Sequence, residues 1–107
     1  MTNRLEISQQ DDMTLNILSG RSLVFSPQWN DEGASVLFDS TSGDYWVLTP
    51  LAREIVRHTT DAGPTEASTL VRHVGSRASA FEGGEIAEAT IRRVIDELVE
   101  LSILAHT

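Results

Sequence analysis

The sequence predicts an α+β domain of winged-helix-like architecture, a three-stranded antiparallel sheet followed by three helices. Three observations predict it. Apolar residues fall in short runs of three or four as far as Leu48 and at helical spacing thereafter. The period changes at Thr49-Pro50, a good helix start. Strands precede helices instead of alternating with them, which excludes a βαβ repeat. At 107 residues the chain is one domain with one core.

Residues 1–20 read as a flexible tail or marginal strand, in which Leu5 and Ile7 alternate and Met13, Leu15 and Ile17 alternate again. The folded domain is assigned to residues 21–107. Gly20 breaks the chain ahead of Leu23-Val24-Phe25, the first expected strand, and Pro27 stops it. Trp29 follows in a loop ending at Gly33 and is expected to fold back over the core. Val36-Leu37-Phe38 and Tyr45-Trp46-Val47-Leu48 form the second and third strands. The intervening Asp39–Asp44 stretch is rich in turn formers, with Gly43 free to adopt positive φ. Side chains alternate across a strand, so Trp46 and Leu48 face inward while Tyr45 and Val47 face water or a partner.

Thr49 supplies the N-cap of the first helix and Pro50 its first residue, where a missing N–H costs nothing. Leu51, Ala52, Ile55 and Val56 carry that helix to about Thr59. Gly63-Pro64 marks the next break, and Pro64 or Thr65 opens a second helix. Ala67, Leu70, Val71 and Val74 lie at helical spacing, Gly75 ends the helix, and residues 76–84 form a loop. The third helix carries the clearest stripe, Ala87, Ile91, Val94, Ile95, Leu98 and Leu101, opposite a polar face of Arg93, Asp96, Glu97 and Glu100. Ile103 and Leu104 cover the end of the core.

Composition bounds the function. Eight basic residues against sixteen acidic give a formal net charge of −8, which repels a phosphate backbone. No apolar run approaches the ~18 residues of a membrane span, and no basic region followed by an apolar stretch opens the chain. With no cysteine, disulfides and thiolate chemistry are excluded, and a soluble, cytoplasmic protein is expected. His58, His73 and His106 are scattered, and Gly83-Gly84 lacks the lysine and spacing of a phosphate loop. The expectation is a non-enzyme with no catalytic residue, metal or cofactor.

Ser42-Gly43-Asp44-Tyr45-Trp46-Val47-Leu48-Thr49-Pro50-Leu51-Ala52 resembles the signature of PqqD-like peptide chaperones, also called RiPP recognition elements. It is closest to the subgroup found with HPr-kinase-related proteins, in which histidine often stands at the position of Trp46. The later "AEATIRRVIDELVELSIL" is similar to the family's last helix and closing turn, so the resemblance spans roughly residues 23–104. Thr49-Pro50 and the long loop before the third helix depart from the commoner pattern. The resemblance implies a module that binds the leader segment of a ribosomally made precursor peptide and presents it to a modifying enzyme. The leader would add as a strand beside the third strand, in a groove walled by the third helix. An HPr-kinase-related protein is the other implied partner.

The expected peptide-binding residues are Tyr45, Trp46 and Val47 on the strand, with Glu88, Arg92, Ile95 and Val99 in a line along the helix. Ile95 and Val99 are more apolar than a solvated flank needs. Arg92 could meet an acidic leader residue and Glu88 a basic one. Two alternatives stand beside this. A winged-helix DNA-binding regulator would use Arg92-Arg93, against five acidic residues on the same helix. A protein–protein adaptor would use the sheet edge, as a monomer or homodimer.

Overall fold

A computed structural model describes residues 13–28, 33–82 and 87–106. The expectations for the N-terminal tail before Met13, for Trp29 and for Gly83-Gly84 lie outside these residues. The described chain runs β1 (Thr14–Ile17), β2 (Leu23–Phe25), β3 (Ser35–Asp39), β4 (Tyr45–Leu48), α1 (Pro50–Ala62), β5 (Thr65–Glu66), α2 (Ala67–Glu82), α3 (Glu88–Glu100) and β6 (Leu104–His106).

The expected sheet is present, antiparallel, in the order β2–β3–β4. Its β3–β4 turn uses Gly43 at φ 83°, with the Gly43 N–H donating to the Asp39 carbonyl. A second three-stranded sheet, β5–β1–β6, was not expected. Thr65 and Glu66 pair with Leu15 and Thr14 instead of opening a helix, and Leu104–His106 pairs along the other side of β1. These two- and three-residue strands are fixed by β1 lying between them, a long-range pairing that no local period announces.

The helix start at Thr49 is as read: its hydroxyl accepts from the Ala52 N–H at 3.2 Å, and Pro50 is the first helical residue. Leu37 and Leu48 from the sheet meet Ile55 and Val56 of α1, Leu70 and Val74 of α2, and Ile91 and Leu98 of α3 in a single core. Ile103 and Leu104 close it, fully buried.

Gly75 does not end α2, which continues to Glu82. A Cβ at Gly75 would stand 3.4 Å from Ile91 Cδ1, an ordinary contact, so the packing of α2 on α3 leaves room for one there. The third stripe is also narrower than expected. Ala87 precedes α3 as its N-cap, and Leu101 is 48% exposed. Leu101 points away because the chain reverses immediately after it. The Ile103 N–H donates to the Leu98 carbonyl and the Ser102 N–H to that of Val99, a Schellman closure. Ser102, at φ 62°, occupies the left-handed position that glycine usually takes.

Arg21 joins this closure to the sheet. Its Nε donates to the Ser102 carbonyl at 3.0 Å and its Nη1 to Asp39 Oδ2 at 2.7 Å. Its guanidinium carbon lies 5.1 Å from the centroid of the Trp46 ring. The buried Asp39 carboxylate also accepts from the Ser22 and Thr41 N–H groups and the Ser42 hydroxyl. The Arg21 hydrogen bond, with these further donors, holds Asp39 well below the usual carboxylate range against the opposing effect of burial.

A depressed carboxylate pKa means that the unfolded chain takes up the proton first. Stability from Asp39 is complete above the ordinary carboxylate pKa of about 4 and is lost as pH falls toward the folded value. Asp39→Asn is therefore expected to be less stable at neutral pH and to show a flatter fall in stability between about pH 5 and 2, by up to one linked proton. Urea unfolding across that range checks this, and equal slopes would contradict it. Ser102→Gly relieves the left-handed strain and is expected to raise stability by up to about 1 kcal/mol in the same assay.

Candidate functional site

β4 lies at the margin of its sheet. Among the described residues it pairs with β3 alone, through Ser35↔Leu48, Val36↔Val47, Leu37↔Trp46 and Phe38↔Tyr45. An antiparallel ladder alternates bonded and non-bonded pairs. The Asp39 N–H donates to the Asp44 carbonyl at 2.9 Å, which makes that pair a bonded one and fixes the phase. Trp46 and Leu48 therefore direct their backbone groups to β3. Tyr45 and Val47 direct theirs, two N–H and two carbonyl groups, away from the sheet.

Side chains along β4 follow the predicted alternation. Leu48 is buried and Trp46 half-buried against the core, whereas Tyr45 is 68% and Val47 63% exposed. Its four-residue length is the one usual guard of an edge strand that β4 keeps. It contains no lysine, proline or inward charge.

On α3, Arg92, Ile95 and Val99 come together on one cavity of about 180 Å³. Its other walls are Met13 and Leu15 of the β1 segment, Ala67, Asp96 and His106. The floor is apolar and the rim is charged. Ile95 is buried and Val99 half-buried, so both belong partly to the core. Glu88 is outside the lining, and its Oε2 accepts from Arg92 Nε at 2.8 Å. Such a surface pair contributes little to stability, but it occupies both charges proposed for a partner. None of the lining residues comes from β4. The structure thus sorts the seven expected residues into a strand edge (Tyr45, Trp46, Val47), a helix cavity (Arg92, Ile95, Val99) and an ion-paired flank (Glu88).

Three further features appear, two of which were not legible beforehand. Arg21 reaches Trp46 across twenty-five positions of sequence. Val24 and Phe38 share the exposed sheet face with Tyr45 and Val47, a placement already implied by alternation in the first two strands. His58 and His73 stack with ring centroids 4.2 Å apart, because α1 and α2 pack together there. Arg77 of α2 also donates to the buried Glu54 of α1 at 2.6 Å beside them. Among the described residues no three histidine or carboxylate side chains converge on a metal position.

Burial lowers the pKa of His58, and the neighbouring His73 lowers it further. Proton-coupled chemical shifts should give a His58 midpoint below the ordinary 6.5. His73→Gln should move that midpoint upward, since the neighbouring imidazole is one of the causes that lower it. A His58 midpoint unmoved by that substitution would contradict the coupling.

No helix among the described residues is long and apolar enough to cross a membrane. Comparison with known proteins finds no matching family, no matching curated protein and no matching solved structure.

Proposed function

We propose that this protein is a non-catalytic, PqqD-like peptide-binding module. It takes the extended leader of a ribosomally made precursor peptide as an added strand on β4 and presents it to a modifying enzyme. The observation that carries the reading is the edge of β4, unpaired among the described residues, with the backbone groups of Tyr45 and Val47 directed outward. The resemblance of residues 42–52 to the family signature supports the same reading. A cytoplasmic setting fits the absence of cysteine.

Magnitudes show what the edge must be given. The four outward groups can make four ladder bonds, at a net ~0.5–1.5 kcal/mol each, or roughly 2–6 kcal/mol. Ordering a flexible peptide costs ~2–5 kcal/mol, while micromolar affinity needs about 8 kcal/mol. Backbone pairing alone falls short, and apolar side chains must make up the difference at ~1.5–3 kcal/mol for each one fully buried. Tyr45 and Val47 offer that contact beside the added strand. The α3 cavity, which no β4 residue lines, is a separate surface and adds nothing to this sum, so the expected groove between strand and helix reduces to the strand edge.

The test is a titration of the full chain with the short peptides encoded beside its gene, followed through backbone amide shifts. The expected result is micromolar binding that perturbs Tyr45 and Val47, and a loss of about two- to tenfold in affinity for each peptide N–H blocked by methylation on the side facing β4. Shifts confined to α1 and α2, with the β4 amides unmoved, would overturn the reading.

A further inference from the structure

The seam between α1 and α2 carries two polar rungs. In one, Arg77 Nε donates to Glu54 Oε2 at 2.6 Å; in the other, the His58 and His73 rings lie 4.2 Å apart, tilted by 33°. Stepping from Glu54 to His58 on α1 retreats from Arg77 to His73 on α2, so the helices run antiparallel. Residues four apart share a helix face, which sets both rungs on one margin of the seam. Inside that margin Ile55, Leu70 and Val74 are fully buried. Outside it lies a recess of about 120 Å³, lined by Glu54, Arg57, His58 and Asp61 of α1 and by His73 and Arg77 of α2. A polar recess of that size admits water, and His73 is exposed, so protons reach both rings.

Charge in the recess balances only while the rings are neutral. Arg57 and Arg77 then offset Glu54 and Asp61, with Arg57 standing 4.0 Å from Glu54 and Arg77 bonded to it. Two imidazolium rings would set four cations against two carboxylates. Like charges at a stacking distance repel strongly where little water lies between them.

We propose that the His58–His73 pair is a proton-operated latch on the α1–α2 seam. Neutral rings stack and close the margin. Protonation of both parts them and loosens the margin, while Ile55, Leu70 and Val74 keep the helices docked. Burial and then His73 oppose a charge on His58, with Arg77 adding to them, and Glu54 and Asp61 offset this only in part. The folded chain thus resists a proton that the unfolded chain accepts. Stability from the latch is complete above the ordinary histidine value of 6.5 and is lost as pH falls through it. The Asp39 contribution stays complete in that window, because it is lost only at more acid pH. The latch is independent of the peptide edge, since no residue of β4 lines the recess.

Amide spectra and urea unfolding of the full chain between about pH 7.5 and 5.5 test it. In the native chain, the amides of residues 54–59 and 70–77 should shift together as pH falls, while those of β3 and α3 stay in place. The folding equilibrium should weaken over the same range, by up to about tenfold per pH unit for each linked proton. His73→Gln, a neutral replacement at an exposed position, should abolish the concerted shift and reduce the slope. His58→Gln should do the same from the other side of the seam. Shifts confined to the two histidines would overturn the proposal, as would an equal pH response in the native chain and both variants. Loss of amide dispersion throughout the domain at pH 5.5 would also overturn it, because a latch opens one seam and not the core.

Discussion

The contact on which the rest of the molecule hangs is the ion pair between Arg21 and Asp39. Asp39 ends β3 on the inward face, where a bare carboxylate would be costly to bury. Arg21 and three further donors make the position tenable. The same guanidinium stacks on Trp46 of β4 and holds the Ser102 carbonyl after α3. One side chain thereby ties the three-stranded sheet, its edge strand and the C-terminal closure into a single unit. The left-handed Ser102 is held from both sides, by the Schellman bonds and by Arg21.

With that tie in place, the properties of β4 follow from the pleat. Trp46 and Leu48 are committed inward by side chain and backbone alike. Tyr45 and Val47 are left outward by both. An edge strand with free hydrogen-bonding groups and no charge is a liability unless a partner uses it. The apolar face on the same strand is a second such liability in a different direction. The peptide addition proposed above would cover the first of them.

What the sequence revealed was what short-range chemistry determines. Thr49-Pro50 marked the helix start because capping and proline's missing N–H act within three residues. The Gly43 turn and the alternation of Tyr45 to Leu48 were equally local. The residues misread depend on distant partners. Gly75 looked like a stop, yet α2 runs through it to Glu82, since one glycine costs a helix interior only about 1 kcal/mol. Thr65-Glu66 and Leu104–His106 are strands only because β1 lies between them. The stacking of His58 on His73 and the bridge from Arg21 to Trp46 required the packed fold. The helical line of Arg92, Ile95 and Val99 was legible as a line, but its facing wall of Met13, Leu15, Ala67 and His106 was not.

Amide hydrogen exchange along β4 probes the open margin of the sheet most directly. In the free protein, Trp46 and Leu48 should exchange slowly, each N–H being held by β3, while Tyr45 and Val47 exchange near the rate of unprotected amides. Four equally slow amides would mean that the outward groups already have partners, leaving an incoming chain nothing to bind.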